Sequence, residues 1–157
     1  MDILDTLLYW VHTIASVYWI GGIAFILLIL IPKAKQILGK EASKLIGAIS
    51  KTFKLHVNIS IFILVLTGIA LSMLDKPAPV QIEQCDNWKI LLITKHILVA
   101  IMIFIHIYRN TLLSKRINKE NEISKKSSLQ KLSLNFVKVV LILGLIVLLL
   151  SIMASKL

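Results

Sequence analysis

Four long runs of apolar residues dominate the chain and nearly exclude charged side chains. Residues 6–32, 55–74 and 139–155 contain no Asp, Glu, Lys or Arg, and residues 90–108 contain only Lys95. An α-helix rises about 1.5 Å per residue, so about 20 residues cross the hydrocarbon layer of a bilayer. Each run is near that length, and we predict that each forms a membrane-spanning helix.

The composition favours one membrane domain. Apolar residues make up 57% of the 157 residues and the mean hydropathy is +0.86, which is too apolar for a soluble chain of this length. We predict an all-α integral membrane protein, a bundle of four transmembrane helices that forms a single domain over residues 1–157. The expected helices cover about residues 6–32, 55–74, 88–113 and 134–155.

The net charge of +10 is concentrated in two connecting segments. Residues 32–54 carry six Lys and one Glu, and residues 109–131 carry seven basic residues and two Glu, whereas residues 75–89 are nearly balanced. Positive loops stay in the cytoplasm, so we predict that 32–54 and 109–131 are cytoplasmic loops and that both termini lie outside. The pattern indicates a multi-pass protein of the cytoplasmic (inner) membrane in contact with lipid, and it disfavours nucleic acid as a partner.

All four histidines lie in or at the edge of an apolar run: His12, His56, His96 and His106. An imidazole is costly at membrane depth unless it binds something, which makes each a functional candidate. The predicted orientation places His12 and His96 near the outer surface, and His56 and His106 near the inner one. For any one of them, a hydrogen bond to a neighbouring helix is the simpler alternative.

Other candidate side chains lie beside the histidines. On the third predicted helix Lys95 and His106 lie within about 20° of each other around the axis, and Arg109 lies about 40° further round. On the first helix Trp19 shares a face with His12. The four apolar runs contain no carboxylate, so the charge of Lys95 needs an anionic ligand such as a propionate, or the amine is neutral.

Two stretches resemble known membrane proteins. The stretch from His12 to Gly22, running on to Pro32, resembles the first helix of the copper resistance protein D (CopD) family, as residues 88–110 resemble its third. Lys95, eleven residues before His106, also resembles the HemJ-type protoporphyrinogen oxidases. The resemblance implies a haem b bundle in which His12 and His106 are functional with Lys95 as their partner. Pro32-Lys33 stands where the oxidases are expected to have Pro-Arg, and His56 and His96 are additional.

We therefore expect a membrane-embedded haem b protein that carries electrons. One haem would be held by His12 and His96, with a second between His56 and His106 as an alternative. Its donor would be a quinone or a porphyrinogen-type substrate and its acceptor a redox partner protein; whether the chain is an oxidoreductase, and its oligomeric state, stay open. The alternatives are a copper-handling or copper-transport membrane protein and an accessory structural subunit of a larger complex.

Overall fold

A computed structural model describes the backbone of residues 3–74 and 82–154, and the side chains of residues 3–74 and 89–154. Two compact units divide the chain, Met1–Ala78 and Pro79–Leu157. Nearly all of the described residues are helical. The α-helices are α1 (Ile3–Phe25), α2 (Ile31–Leu38), α3 (Ala42–Leu74), α4 (Ile82–Tyr108), α5 (Ser114–Lys119) and α6 (Ile123–Ala154).

The first unit is a helical hairpin in which α1 packs against α3. A turn of π-helix, Ile26–Leu30, joins α1 to α2, directly before Pro32, which has no N–H to donate to a carbonyl of the preceding turn. The chain reverses after α2 at Gly39, whose φ of +51° lies in the region that favours glycine. A 3-10 turn, Gly39–Glu41, then leads into α3.

The core of the first unit consists of one face from each helix. Most buried residues of α1 and α3 are separated by three, four or seven positions, which places them on one face of each helix. They are Ala15, Trp19, Ile20 and Ile23 on α1, and Val57, Ser60, Thr67 and Leu71 on α3. Large apolar side chains on the other faces are exposed, such as Leu28 and Phe62. A membrane protein covers such faces with lipid.

The second unit is a hairpin in which α4 packs against α6. Met102 of α4 and Leu113 of the turn that follows it are almost fully buried, and the buried residues of α6 are Val140, Gly144 and Val147. At the C-terminal end of α4, the ring of Tyr108 contacts the ring of Phe136 edge to face, with centroids 5.8 Å apart. A second turn of π-helix, Arg109–Leu113, connects α4 to α5.

The turn between α5 and α6 is stabilised by charged side chains. Lys125 forms an ion pair with Glu122 at 2.6 Å, and the hydroxyl of Ser124 donates to the same carboxylate. Hydrogen bonds from Lys125 and Ser124 lower the pKa of Glu122. Glu122 is thus already engaged by groups of its own turn.

The two basic segments, 32–54 and 109–131, are mostly helical, so the long helices extend beyond the approximate bounds predicted for them, while the cytoplasmic position of both segments stays a prediction. The α3 helix begins at Ala42 rather than near residue 55, and α6 begins at Ile123 rather than near residue 134. Lysine is a good helix former, and its charge can stay in water while the small residues Ala34 and Ala42 are buried. The apolar run therefore marks the part of a helix that suits a membrane and not the length of the helix.

Three helical stretches of the described residues are long and apolar enough to cross a membrane. They are Ile3–Leu74, Lys89–Lys119 and Ile123–Ala154. The first turns back at Gly39 and contains two of the predicted apolar runs, so four crossings stay a prediction. The outer position of the termini and of the 75–89 connection also stays a prediction, since residues 1–2, 75–81 and 155–157 lie outside the described residues. The chain is an all-helical, multi-pass membrane protein.

Candidate functional site

His12 is joined to the neighbouring helix by one hydrogen bond. Its Nδ1 lies 2.8 Å from Oγ1 of Thr67 on α3. The Thr67 hydroxyl donates its own proton to the carbonyl of Ile63, at 2.7 Å, so it accepts the proton of His12 Nδ1. The neutral imidazole is thereby held in the tautomer whose lone pair is on Nε2, the form in which Nε2 can bind a metal ion.

The ring of His12 lies close to Gly68, and its hydrogen-bond partner is buried. Thr67 is buried, with 7% of its surface exposed, and a Cβ on Gly68 would lie 3.7 Å from Cε1 of His12. The hydroxyl of Ser16 donates to the carbonyl of His12 at 2.9 Å. Trp19, which the sequence placed on this face, is 2% exposed within the core of the first unit.

His56 lies at a different level of the same hairpin. Its ring is exposed and lies 6.0 Å from the ring of Tyr18, and its Nδ1 donates to the carbonyl of Thr52 at 2.9 Å. Thr67, the partner of His12, is eleven residues further along α3, which is about 16 Å of helix. Nitrogen ligands lie about 2 Å from a metal ion, so His12 and His56 do not share one.

His96 and Lys95 lie on α4, in the second unit. His96 is exposed, and its Nδ1 donates to the carbonyl of Leu92 at 2.7 Å, which leaves the lone pair on Nε2. Lys95 is partly buried. The predicted haem ligands His12 and His96 belong to different units, and their pairing stays a prediction.

His106 has the opposite tautomer. Only 8% of its surface is exposed, and its Nε2 accepts a hydrogen bond of 2.7 Å from Nδ2 of Asn110. The side-chain oxygen of Asn110 in turn accepts from Nη2 of Arg109 at 3.4 Å. Since Nε2 is the acceptor, the neutral ring carries its proton on Nδ1 and its only lone pair is already used.

Within each unit the two histidines lie at different levels and do not form one site. His96 and His106 are ten residues apart on α4, or about 15 Å. Among the described residues, no three of His, Cys, Asp and Glu lie close enough together to hold a metal ion. In the tautomers of His12, His56 and His96 the lone pair is on Nε2, whereas His106 directs its Nε2 lone pair at Asn110.

Two partners of the histidines carry no assignment from the sequence. Thr67 lies on α3, and its hydrogen bond goes to His12 on the other helix. The spacing of Asn110, four residues after His106, is a signal that was present, because side chains at that spacing meet on a helix surface.

The comparisons with known proteins give one family. The model of the family described as copper resistance protein D matches residues 47–154, more than half of the chain. No curated protein and no solved structure gives a significant match. The matched range takes in α4 to α6 and most of α3, including Thr67, and it leaves out α1 with His12, where much of the sequence resemblance lay. The chain belongs to the copper resistance protein D family.

Proposed function

We propose that this chain is a copper-handling protein of the cytoplasmic membrane. The observation that carries the proposal is the family match over residues 47–154, because the family is named for copper resistance. Helices long and apolar enough to cross a bilayer fit a protein that meets its ion within or at the membrane. This reading replaces haem-based electron transfer as the leading hypothesis, since the family name points to copper.

His12 is the residue that we propose as a contact for the copper ion. Imidazole nitrogen is a good ligand for copper, and the Thr67 hydrogen bond holds His12 in the tautomer that offers Nε2. Thr67 itself lies within the range matched by the family. One imidazole is a single ligand, so the proposal assigns His12 the first contact and leaves the remaining ligands open.

The test is the affinity of the purified protein for Cu(I), measured by competition with a chelator. Replacing His12 by Ala should abolish the tightest binding. Thr67→Val keeps the imidazole but removes the acceptor for its Nδ1 proton, and losing such a partner typically weakens metal binding about 10–100-fold.

Thr13→Val is the matched control for Thr67→Val. It removes the same hydroxyl from the residue next to His12, but Thr13 donates only to the carbonyl of Tyr9 in its own helix. Its copper affinity should equal that of the unchanged protein. If the His12→Ala variant binds copper as tightly as the unchanged protein, His12 is not a copper ligand.

A haem b protein is the second candidate, and the histidine tautomers favour one arrangement of it. Axial ligation uses an unprotonated ring nitrogen, and both His12 and His96 present Nε2 in that form. His106 directs its Nε2 lone pair at Asn110, which disfavours an inner haem between His56 and His106. A bound haem would supply one-electron chemistry; a quinone, a porphyrinogen-type substrate or a redox partner would belong to this candidate only.

A further inference from the structure

The side chain of Arg109 lies at the predicted cytoplasmic border of the second unit, and no carboxylate of the described residues pairs with it. It directly follows the apolar run 90–108, and it is partly buried. Its hydrogen bond is to the neutral side chain of Asn110, and it forms no ion pair with any carboxylate in the described residues. A partly buried guanidinium is stabilised by an anion, which here has to come from outside the described residues.

The acidic residues of the second unit do not meet this need. The helices α4, α5 and α6 contain no Asp or Glu between Lys89 and Lys119 or between Ile123 and Ala154. Glu120 is eleven residues beyond Arg109, on the order of 16 Å along the helix. Glu122 is paired with Lys125.

The guanidinium is oriented by a short chain of hydrogen bonds. His106 accepts from Nδ2 of Asn110, which leaves the Asn110 oxygen facing Arg109, and that oxygen accepts from Nη2. Since His106 is buried, it fixes the amide from the protein side. One Arg109 donor is used in this way, and the rest of the planar fork remains for a ligand with several acceptor oxygens, such as a phosphate.

A second cation lies about one helical turn from Arg109 along the hairpin. The ring contact of Tyr108 with Phe136 fixes the register of α4 and α6, and Arg109 follows the first ring while Lys138 comes two residues after the second. Lys138 is exposed and directly precedes the apolar run 139–155, at its predicted cytoplasmic end. Phosphate groups of the bilayer lie just outside its hydrocarbon layer, which is the level of these two side chains.

We propose that Arg109, held by Asn110 and His106, binds the phosphate group of an anionic phospholipid at the cytoplasmic surface. The site uses none of the residues assigned to copper binding, so a failure of one proposal leaves the other unaffected. Asn110 and His106 are positioning residues, and Arg109 makes the contact. The same phosphate chemistry is offered by free inorganic phosphate, and the experiment distinguishes the two sources.

The experiment measures lipid binding to the full-length protein in detergent by native mass spectrometry. Phosphatidylglycerol and phosphatidylcholine with the same acyl chains are compared: both contain a phosphate, but only in phosphatidylglycerol is its charge not offset by a cationic headgroup. The unchanged protein should prefer phosphatidylglycerol, and Arg109→Gln should reduce this preference about fivefold. Arg116→Gln is the matched control, because it removes the same charge from an exposed position two turns further on.

The Asn110→Ala variant keeps the cation and loses its orientation, so its preference should fall less than that of Arg109→Gln. A merely structural defect would weaken the binding of both lipids alike and leave the preference for phosphatidylglycerol unchanged. If the protein keeps its bound phosphatidylglycerol in excess inorganic phosphate, the ligand is the lipid. If inorganic phosphate displaces the lipid from the unchanged protein but not from Arg109→Gln, the site binds free phosphate. Equal preferences in Arg109→Gln, Asn110→Ala and Arg116→Gln would overturn the proposal.

Discussion

At the scale of single residues, two adjacent glycines have opposite surroundings. A Cβ on Gly22 would overlap the ring of Phe53 on α3, whereas a Cβ on Gly21 would have nothing within 4 Å. The Phe53 ring also contacts the ring of Tyr18, with centroids 6.2 Å apart, so moving it disturbs a second aromatic residue. Gly22 therefore sets how closely α1 and α3 approach.

Gly22→Ala should lower the free energy of unfolding by about 1 kcal/mol or more, because an added methyl group overpacks the interface. Gly21→Ala, one position away, should leave it unchanged or raise it by up to about 1 kcal/mol, since alanine is the better helix former. Both values follow from denaturant unfolding of the purified protein in detergent. Equal losses in the two variants would show that Gly22 does not define the interface.

The residues of the candidate site were predictable to different degrees. Histidines stand out in apolar sequence, so His12 and His106 could be singled out without a structure. The partnership of His12 with Thr67 depends on the register between two helices, and helical periodicity describes only one helix at a time. The tautomer of His12 follows from this partner and could not be predicted either.

At the scale of elements, the first hairpin turns on one glycine. Gly39 has a φ of +51°, and its N–H donates to the carbonyl of Lys35 at the end of α2. A side chain in this conformation is strained, which is why glycine commonly ends a helix. The sequence contains this signal, but the lysine-rich pattern around it was interpreted as a loop rather than as two helices that meet at a turn.

Gly39→Ala should destabilise the protein by about 1–2 kcal/mol, the usual cost of a left-handed conformation for a residue with a Cβ. Gly47→Ala is the matched control, since Gly47 lies within α3 with nothing within 4 Å of an added Cβ and no positive φ. It should be neutral or slightly stabilising in the same unfolding measurement. A loss at Gly39 no larger than that at Gly47 would contradict the strained turn.

Helix ends were harder to predict than helix cores. Each apolar run lies mainly within one of the long helices α1, α3, α4 and α6, but not at its centre. The helices continue into the basic segments. Small residues such as Ala42 are buried there, and Lys44 forms an ion pair with Glu41 at 2.7 Å. Hydropathy carries no information on this continuation, because the lysines point to water.

At the scale of the whole molecule, the distribution of lysines predicts the orientation in the membrane. The bends of both hairpins lie in basic segments, at Gly39 and at residues 120–122. The positive-inside rule places them together on the cytoplasmic side. This follows from charge alone and needs no contact between the units.

Impermeant thiol labelling of intact cells tests this orientation through Cys85, the single cysteine of the chain. Cys85 should be labelled in intact cells, since it belongs to the near-neutral 75–89 segment. In a Cys85→Ser background, a Ser43→Cys variant places the thiol at an exposed position of the first bend and should be labelled only after the cells are broken. The reverse pattern would invert the orientation.

The central claim is that this protein handles copper through His12, and the metal content of the purified protein tests it most directly. Protein from cells supplied with both copper and iron would be analysed for each metal and for its optical spectrum, beside the His12→Ala variant. The account predicts bound copper that is lost in the variant, with no haem absorbance. Haem bands with about one iron per chain and no copper would contradict it and establish the haem protein instead.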